Sequence, residues 1–238
     1  MKLFTAKGSA SLLALLLSLL STFTFCYADL SSGDHDANST SILQSRKMFP
    51  ELAEFNRKMA NAQRHIFTNE QGYMDFKSAG EKSFATDGFD GCIGLAVASK
   101  KGALIGHYTM TDWGLNQLMT NFKSLYETHK EDLQKGKAWV YVNVHARNEE
   151  QFVEEQMAPL FIDGLRSITG MEPQIKKYIV AVDWWYDANA EPIYGEPDVD
   201  NMRSGGFLIE NPGGGSSNSK LIYASIRMIK KSGEPIDL

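Results

Sequence analysis

Apolar and polar positions along the chain recur with periods that predict a helix, a strand hairpin and then a mixture of helices and strands. Over residues 49–66, apolar side chains fall at spacings of three and four, which predicts one amphipathic helix. A glycine-containing loop is expected next, up to residue 91. Continuous apolar runs at 92–98 and 103–108 then flank a Lys-Lys-Gly turn, so the sequence predicts an antiparallel hairpin of buried strands.

Further elements follow the hairpin and determine the fold class. The pattern predicts helices over 115–126 and 149–169 and strands over 138–145, 177–184, 206–210 and 221–229. Gly170 is expected to end the second of these helices, and the glycine-rich stretch 211–218 is expected to be a surface loop. The order predicts a mixed α/β (α+β) protein with a mixed, largely antiparallel central sheet and helices packed on it.

The N-terminal region predicts secretion and a single globular domain. Lysines precede a short apolar core at 12–20, and small residues follow near residue 28, so residues 1–28 are expected to be a secretory signal peptide. Residues 29–47 are polar and contain the glycosylation sequon at Asn38, and we interpret them as a flexible lead-in. The remaining residues, 48–238, are expected to form one domain that acts outside cells or after delivery into a host cell.

Charge and motif content narrow the classes of partner. The formal net charge of the 238-residue chain is −5, and loss of the two leader lysines makes it more negative. An acidic domain does not favour nucleic-acid binding, and no apolar run reaches the roughly 20 residues that span a bilayer. The histidines and acidic residues lack the spacing of a metal site. We therefore expect a monomer that binds neither nucleic acid nor membrane and requires no metal or organic cofactor.

Cys92 is the strongest candidate for chemistry. Removal of the leader would leave it as the one cysteine of a secreted chain, where an unpaired thiol has no evident structural use. His107 lies on the next predicted strand, and a turn centred near residue 100 predicts that the two side chains face each other directly. An imidazolium at that position would lower the pKa of the thiol. The competing interpretation is that Cys92 is a small buried hydrophobe.

Additional groups are needed around a catalytic cysteine and histidine. Gly91 would let a substrate approach closely and would leave the Cys92 backbone N–H free to bind an oxyanion. Thr86 is the first candidate to hold the imidazole in one tautomer, provided that a loop over 86–91 folds back over the site. The rival candidates for this third group are Asp87, Asp90, Asn143 and Asp183.

The stretch Thr86-Asp87-Gly88-Phe89-Asp90-Gly91-Cys92, followed by a strand, a turn and Gly106-His107, resembles the glutamine deamidase superfamily. That superfamily includes cytotoxic necrotizing factors, the Burkholderia lethal factor and the chemoreceptor deamidase. The resemblance implies a deamidase-like fold and a catalytic Cys92, His107 and Thr86 acting on a glutamine of a protein substrate, as in a toxin or effector. Phe89-Asp90 stands where the toxins often carry Leu-Ser. The run from Gly91 to Tyr108 also resembles secreted fungal proteins of unassigned function.

Two other functions remain open. A non-catalytic secreted effector or binding protein would keep the fold and use its surface, either around Trp184–Tyr194 or at the 211–218 loop. Within enzymes, a cysteine peptidase or acyltransferase would use the same thiol and imidazole. Ammonia release without peptide cleavage distinguishes deamidation from these reactions.

Overall fold

The structure is a computed structural model that describes residues 50–145, 148–180 and 205–225. Every described residue belongs to one compact unit, Arg46–Leu238. The predicted leader, Asn38, Asp183, Trp184 and the last residues of the strands expected at 177–184 and 221–229 lie outside the described residues.

The described elements occur as alternating groups of helices and strands. The first half contains helix α1 (Pro50–Ala60) and strands β1 (Arg64–Ile66), β2 (Glu70–Asp75), β3 (Ala79–Phe89), β4 (Cys92–Ala98) and β5 (Gly102–Thr109). A helical segment follows, made of α2 (Asp112–Gln117), a π-helical turn (Leu118–Phe122), α3 (Lys123–Thr128) and α4 (Lys130–Leu133). The second half contains β6 (Lys137–His145), β7 (Asn148–Phe152), α5 (Met157–Thr169), β8 (Gln174–Tyr178), β9 (Gly205–Gly213) and β10 (Lys220–Tyr223).

Two sheets organise these strands. The larger sheet has the order β2-β5-β4-β6-β7, with β8 also paired to β6, and the smaller has the order β1-β3-β9-β10. The pairs β1–β3 and β6–β8 are parallel, whereas the other described pairs are antiparallel. The predicted class, mixed α and β with largely antiparallel sheets, is therefore confirmed. The β4–β5 hairpin lies at the centre of the larger sheet.

Strand β4 is buried on both faces, which explains its unbroken apolar sequence. Ile93, Leu95 and Val97 face the helices α2 to α5, where they join a core with Phe122 and Phe161. Cys92 and Ala96 face the smaller sheet, whose inner residues Phe84 and Phe207 complete a second core. Helix α1 covers the outer face of the smaller sheet through Leu52, Phe55 and Met59. The layers are thus helices, larger sheet, smaller sheet and helix.

Several predicted element boundaries are wrong. The helix expected over 49–66 ends at Ala60, because residues 64–66 pair with β3 as a strand. The loop expected up to residue 91 contains β2 and β3, and the helix expected from residue 149 begins at Met157, after edge strand β7. Part of the loop expected over 211–218 belongs to β9, which continues to Gly213. In contrast, Gly170 ends α5 in the left-handed conformation, as predicted.

No helix in residues 50–145, 148–180 and 205–225 is long and apolar enough to cross a membrane.

Candidate functional site

The residues around Cys92 meet where the chain crosses from the smaller sheet to the larger one. Strand β3 ends at Phe89, two residues turn the chain, and Cys92 begins β4. Gly91 has a positive φ of 82°, which glycine adopts without strain, and a Cβ built on it would meet nothing within 4 Å. The turn before Cys92 is therefore open on that side, as a substrate approaching the backbone requires.

The register of the hairpin differs from the expected one. Cys92 pairs with Thr109, and His107 pairs with Gly94, so the prediction that Cys92 and His107 face each other directly is wrong. The difference arises because four residues, 99–102, separate the last paired positions Ala98 and Ala103, and Ser99 N–H donates to Gly102 O at 2.9 Å. Cys92 and His107 are instead diagonal neighbours on one face of the sheet.

His107 is fully buried between the two sheets and is held through one ring nitrogen. Its Nδ1 lies 2.9 Å from Thr86 Oγ1, so the third group favoured from the sequence reaches the imidazole. Thr86 does this from strand β3, which corrects the expected loop over 86–91. The other ring nitrogen, Nε2, has no hydrogen-bond partner among the described residues. With Nδ1–H donating to Thr86, Nε2 carries a free lone pair.

Phe89 stacks on the His107 ring, with centroids 3.9 Å apart and planes inclined by 7°. Side chains alternate along β3, but the pairing of β3 with β9 shifts between Asp87 and Phe89, and Gly88 has a φ of 78°. This bulge turns Phe89 into the space between the sheets. Phe89 therefore supplies the surface that covers the imidazole.

Gly94, directly across from His107, leaves the space that the aromatic rings occupy. A Cβ built on Gly94 would lie 2.4 Å from Phe207 Cε1 and 2.7 Å from Phe89 Cζ. Any larger residue would have to displace these rings. The absence of a side chain at this position is therefore a condition for the stacking of Phe89 on His107.

Burial sets the charge states of the two candidate catalytic groups. It lowers the pKa of His107 to about 4, and it raises the pKa of the Cys92 thiol. A neutral thiol and a neutral imidazole therefore coexist at pH 7, rather than the ion pair that sequence reasoning anticipated. No hydrogen bond joins the two groups in the part of the chain that the structure describes, since Nε2 has no partner there.

Three residues near Cys92 and His107 were missed by sequence reasoning. Burial raises the pKa of the Cys92 thiol, and the Asp90 backbone and the Thr68 side chain partly offset this rise. Tyr178 O–H donates to Cys92 O at 2.6 Å, and no sequence signal marked it. Asn69 N–H donates to His107 O at 2.6 Å.

Asn69 also fixes the strand position opposite the cysteine. Its Oδ1 accepts hydrogen bonds from the backbone N–H and the hydroxyl of Thr109, at 3.0 and 3.1 Å. Its φ of 66° is the one positive value among described residues other than glycine. Asparagine tolerates this conformation better than most residues, so an Asn between two short strands was a usable signal.

None of the rival candidates within the described residues hydrogen-bonds the His107 ring, because Nδ1 contacts Thr86 and Nε2 has no partner there. Asn143 is buried, and its Oδ1 has no partner among the described residues. Asp90 is exposed, and its charge helps to raise the pKa of Cys92. Asp87 pairs with Gly206 on β9. Asp183 lies outside the described residues.

The other described histidines are not part of this site. His65 contacts Met59 O at 2.8 Å, His129 stacks on Tyr73, and His145 is exposed at the end of β6. No group of three or more potential metal ligands occurs within the described ranges.

Comparisons with known protein families, curated proteins and solved structures found no match to this chain. The geometry around Cys92 and His107 therefore has to support any functional conclusion by itself.

Proposed function

We propose that this protein is a secreted, cysteine-dependent protein glutamine deamidase in which Cys92 is the nucleophile and His107 the base. The observation that supports this proposal is that Nε2 of His107 has no hydrogen-bond partner among the described residues. Buried polar atoms are almost always hydrogen-bonded, and an unsatisfied one costs about 1–3 kcal/mol. A ring nitrogen that is left free while Thr86 holds the opposite nitrogen suits a group that accepts a proton during a reaction.

The chemistry follows from the neutral resting pair. His107 Nε2 accepts the Cys92 thiol proton as the sulfur attacks the carboxamide carbon of a glutamine side chain, which forms a tetrahedral oxyanion. The C–N bond then breaks, and the imidazolium returns its proton to the departing nitrogen, which leaves as ammonia. Water attacks the resulting thioester with His107 again as base, and this releases glutamate and the free thiol.

Positioning groups have defined tasks in this scheme. Thr86 accepts the Nδ1–H hydrogen bond and keeps Nε2 as the basic nitrogen throughout the cycle. Gly91 keeps the approach to Cys92 open, and the Cys92 backbone N–H is the proposed donor to the oxyanion. A primary amine that replaces water in the second step would yield transglutamination.

The neutral pair also predicts the pH behaviour of the thiol. With a pKa of about 4, His107 remains unprotonated across the neutral range, but it is a weak base until substrate entry lessens the burial that lowers this pKa. Phe89 covers one face of the imidazole. Substrate must therefore enter at the open side of Gly91 and move Cys92, which is 8 % exposed, into contact with His107 Nε2.

A non-catalytic binding protein is the second candidate, and one observation favours it. Cys92 is largely buried and its pKa is raised, which are the properties of a structural cysteine rather than of an activated thiol. In that case the protein binds its partner through its surface. The candidate binding surface within the described residues is the turn between β9 and β10.

Ammonia release tests the proposed function. The full chain is incubated with a mixture of glutamine-containing proteins, and ammonia is measured together with conversion of glutamine to glutamate by mass spectrometry. We expect Cys92→Ala and His107→Gln to abolish release, and His145→Gln, which replaces an exposed histidine, to retain it. Release that is unchanged by Cys92→Ala would refute the assignment, and peptide cleavage in place of ammonia release would indicate a peptidase.

A further inference from the structure

A cleft lies at the opposite end of the β4–β5 hairpin from Cys92. It has a volume of about 670 Å³, within the range of small-ligand sites. Three separate segments form its walls: the hairpin turn at 98–101, the connection from α4 to β6 at 131–137, and the β9–β10 turn at 215–219. Strand β4 has seven residues, so roughly 20 Å separates the cleft from the cysteine.

Four lysines from two of these segments converge on the cleft. Lys100 and Lys101 belong to the hairpin turn, and Lys135 and Lys137 belong to the connection before β6. Lys137 pairs directly with Ala98, which brings the two segments side by side. They approach so closely that a Cβ built on Gly136 would lie 2.3 Å from Ala98 O. The backbone therefore holds the two lysine pairs together against their mutual repulsion.

The negative charges in the cleft do not neutralise the positive charges of these four lysines. Asp132 accepts hydrogen bonds from Lys77 Nζ at 2.8 Å and Tyr73 O–H at 2.9 Å, so its charge is already compensated from outside the cleft. Glu131 is the other acidic residue of the lining. None of the four lysines forms an ion pair with a described residue, although the charge of Lys101 helps to lower the pKa of Asp132. A positive cleft in a chain of net charge −5 thus has room for an anion.

Hydrogen bonds between the three segments fix the cleft walls. The Ser99 hydroxyl donates to Asp132 O at 2.5 Å and accepts from Lys101 N–H at 2.9 Å. Ser219 donates its hydroxyl hydrogen to Ser99 O, and Asn211 Nδ2 donates to Ser219 Oγ at 3.0 Å. Because Ser99 is bonded to both neighbouring segments, the lysine backbones are held in place before any ligand binds.

We propose that this cleft binds a small polyanion that carries at least two phosphate or sulfate groups. Lysine ammonium groups bind such groups as point charges, and two pairs on facing segments fit two charged groups of one ligand. Asn218 and Gln134 in the lining supply hydrogen bonds to the hydroxyl or ester oxygens of the ligand. This site is independent of Cys92 and of the proposed deamidation.

Calorimetric titration of the full chain tests the proposal, with inorganic pyrophosphate and a sulfated heparin disaccharide as separate probes. We expect saturable one-to-one binding of at least one probe, weakened in 0.5 M salt. Replacing two cleft lysines, Lys100→Gln with Lys137→Gln, should reduce the affinity by about tenfold or more. Binding of pyrophosphate alone would identify phosphate as the recognised group, and binding of the disaccharide alone would identify sulfate.

The matched control replaces two lysines on the helical segment outside the cleft, Lys123→Gln with Lys130→Gln, and thus changes net charge equally. Control affinity should equal that of the wild-type protein, and all variants should have the same thermal midpoint. The proposal is overturned if neither probe binds, or if the cleft and control variants lose affinity equally, because the effect would then reflect overall charge.

Discussion

Burial of His107 predicts a specific loss of stability on acidification. The folded protein holds this imidazole with a pKa of about 4, whereas an unfolded histidine titrates near 6.5. Protonation therefore favours the unfolded chain as pH falls below about 6.5. The contribution of His107 to the free energy of unfolding is fully present above that pH and declines until the folded pKa is reached.

The size of this loss of stability follows from the difference between the folded and unfolded pKa values of His107. Each pKa unit corresponds to about 1.4 kcal/mol, so a shift of roughly 2.5 units changes the free energy of unfolding by about 3 kcal/mol between pH 6.5 and pH 4. This is a large fraction of the 5–15 kcal/mol typical of a domain. The loss should be visible as a lower urea midpoint.

Urea unfolding monitored by tryptophan fluorescence provides the assay, at intervals from pH 4 to pH 7.5. Acidic groups also titrate in this range, so the informative quantity is the difference between the wild-type protein and His107→Gln. We expect this difference to shrink by about 3 kcal/mol as pH falls from 6.5 to 4. His145→Gln is the matched control, since it removes an exposed histidine. Parallel curves for wild type and His107→Gln over the whole range would refute the burial argument.

Substitutions at three further positions test which contacts hold His107 and the strands around it in place. Thr86→Val removes the hydroxyl that contacts His107 Nδ1 and should lower the free energy of unfolding in urea by about 1–3 kcal/mol. Thr86→Ser keeps a hydroxyl and should retain most of the stability. Equal losses of stability in the two variants would contradict this role of the hydroxyl. Gly94→Ala should lower the free energy of unfolding by about 1–3 kcal/mol, because the added Cβ displaces Phe89. The same displacement should raise the pKa of His107, which NMR titration measures. An unchanged titration would argue against the packing of Phe89 on His107. Asn69→Ala should destabilise more than Asn69→Gly, because alanine adds backbone strain to the same lost hydrogen bonds; the reverse order would show that strain is unimportant there.

Much of the larger sheet was predictable because the apolar residues of its strands follow clear patterns along the sequence. Strand β4 is apolar throughout, and β6 alternates, so both were expected at nearly their observed positions. Strand β3 was missed because its sequence contains glycines and charged residues, and most of its pairing is with β9, more than a hundred residues away. Such long-range pairing overrides local propensity.

The contact between Thr86 and His107 was predictable from the sequence, but the position of Cys92 relative to His107 was not. Thr86 contacts His107 from the facing sheet, whereas the hairpin register makes Cys92 and His107 diagonal neighbours. Register depends on the length of the turn, which the Lys-Lys-Gly sequence did not fix. The charge states depend on burial by Phe89, and that contact requires the bulge at Gly88, which local sequence did not reveal.

The pH dependence of Cys92 alkylation tests the proposed function most directly. Iodoacetamide, which carries a carboxamide, is reacted with the folded protein between pH 5 and pH 8, and modification of Cys92 is followed by mass spectrometry. If His107 is the base, wild-type Cys92 reacts below pH 7, and His107→Gln lowers the rate by on the order of 10². A Cys92 that stays unmodified until urea unfolds the chain, or that reacts equally in both proteins, would contradict the proposed catalysis.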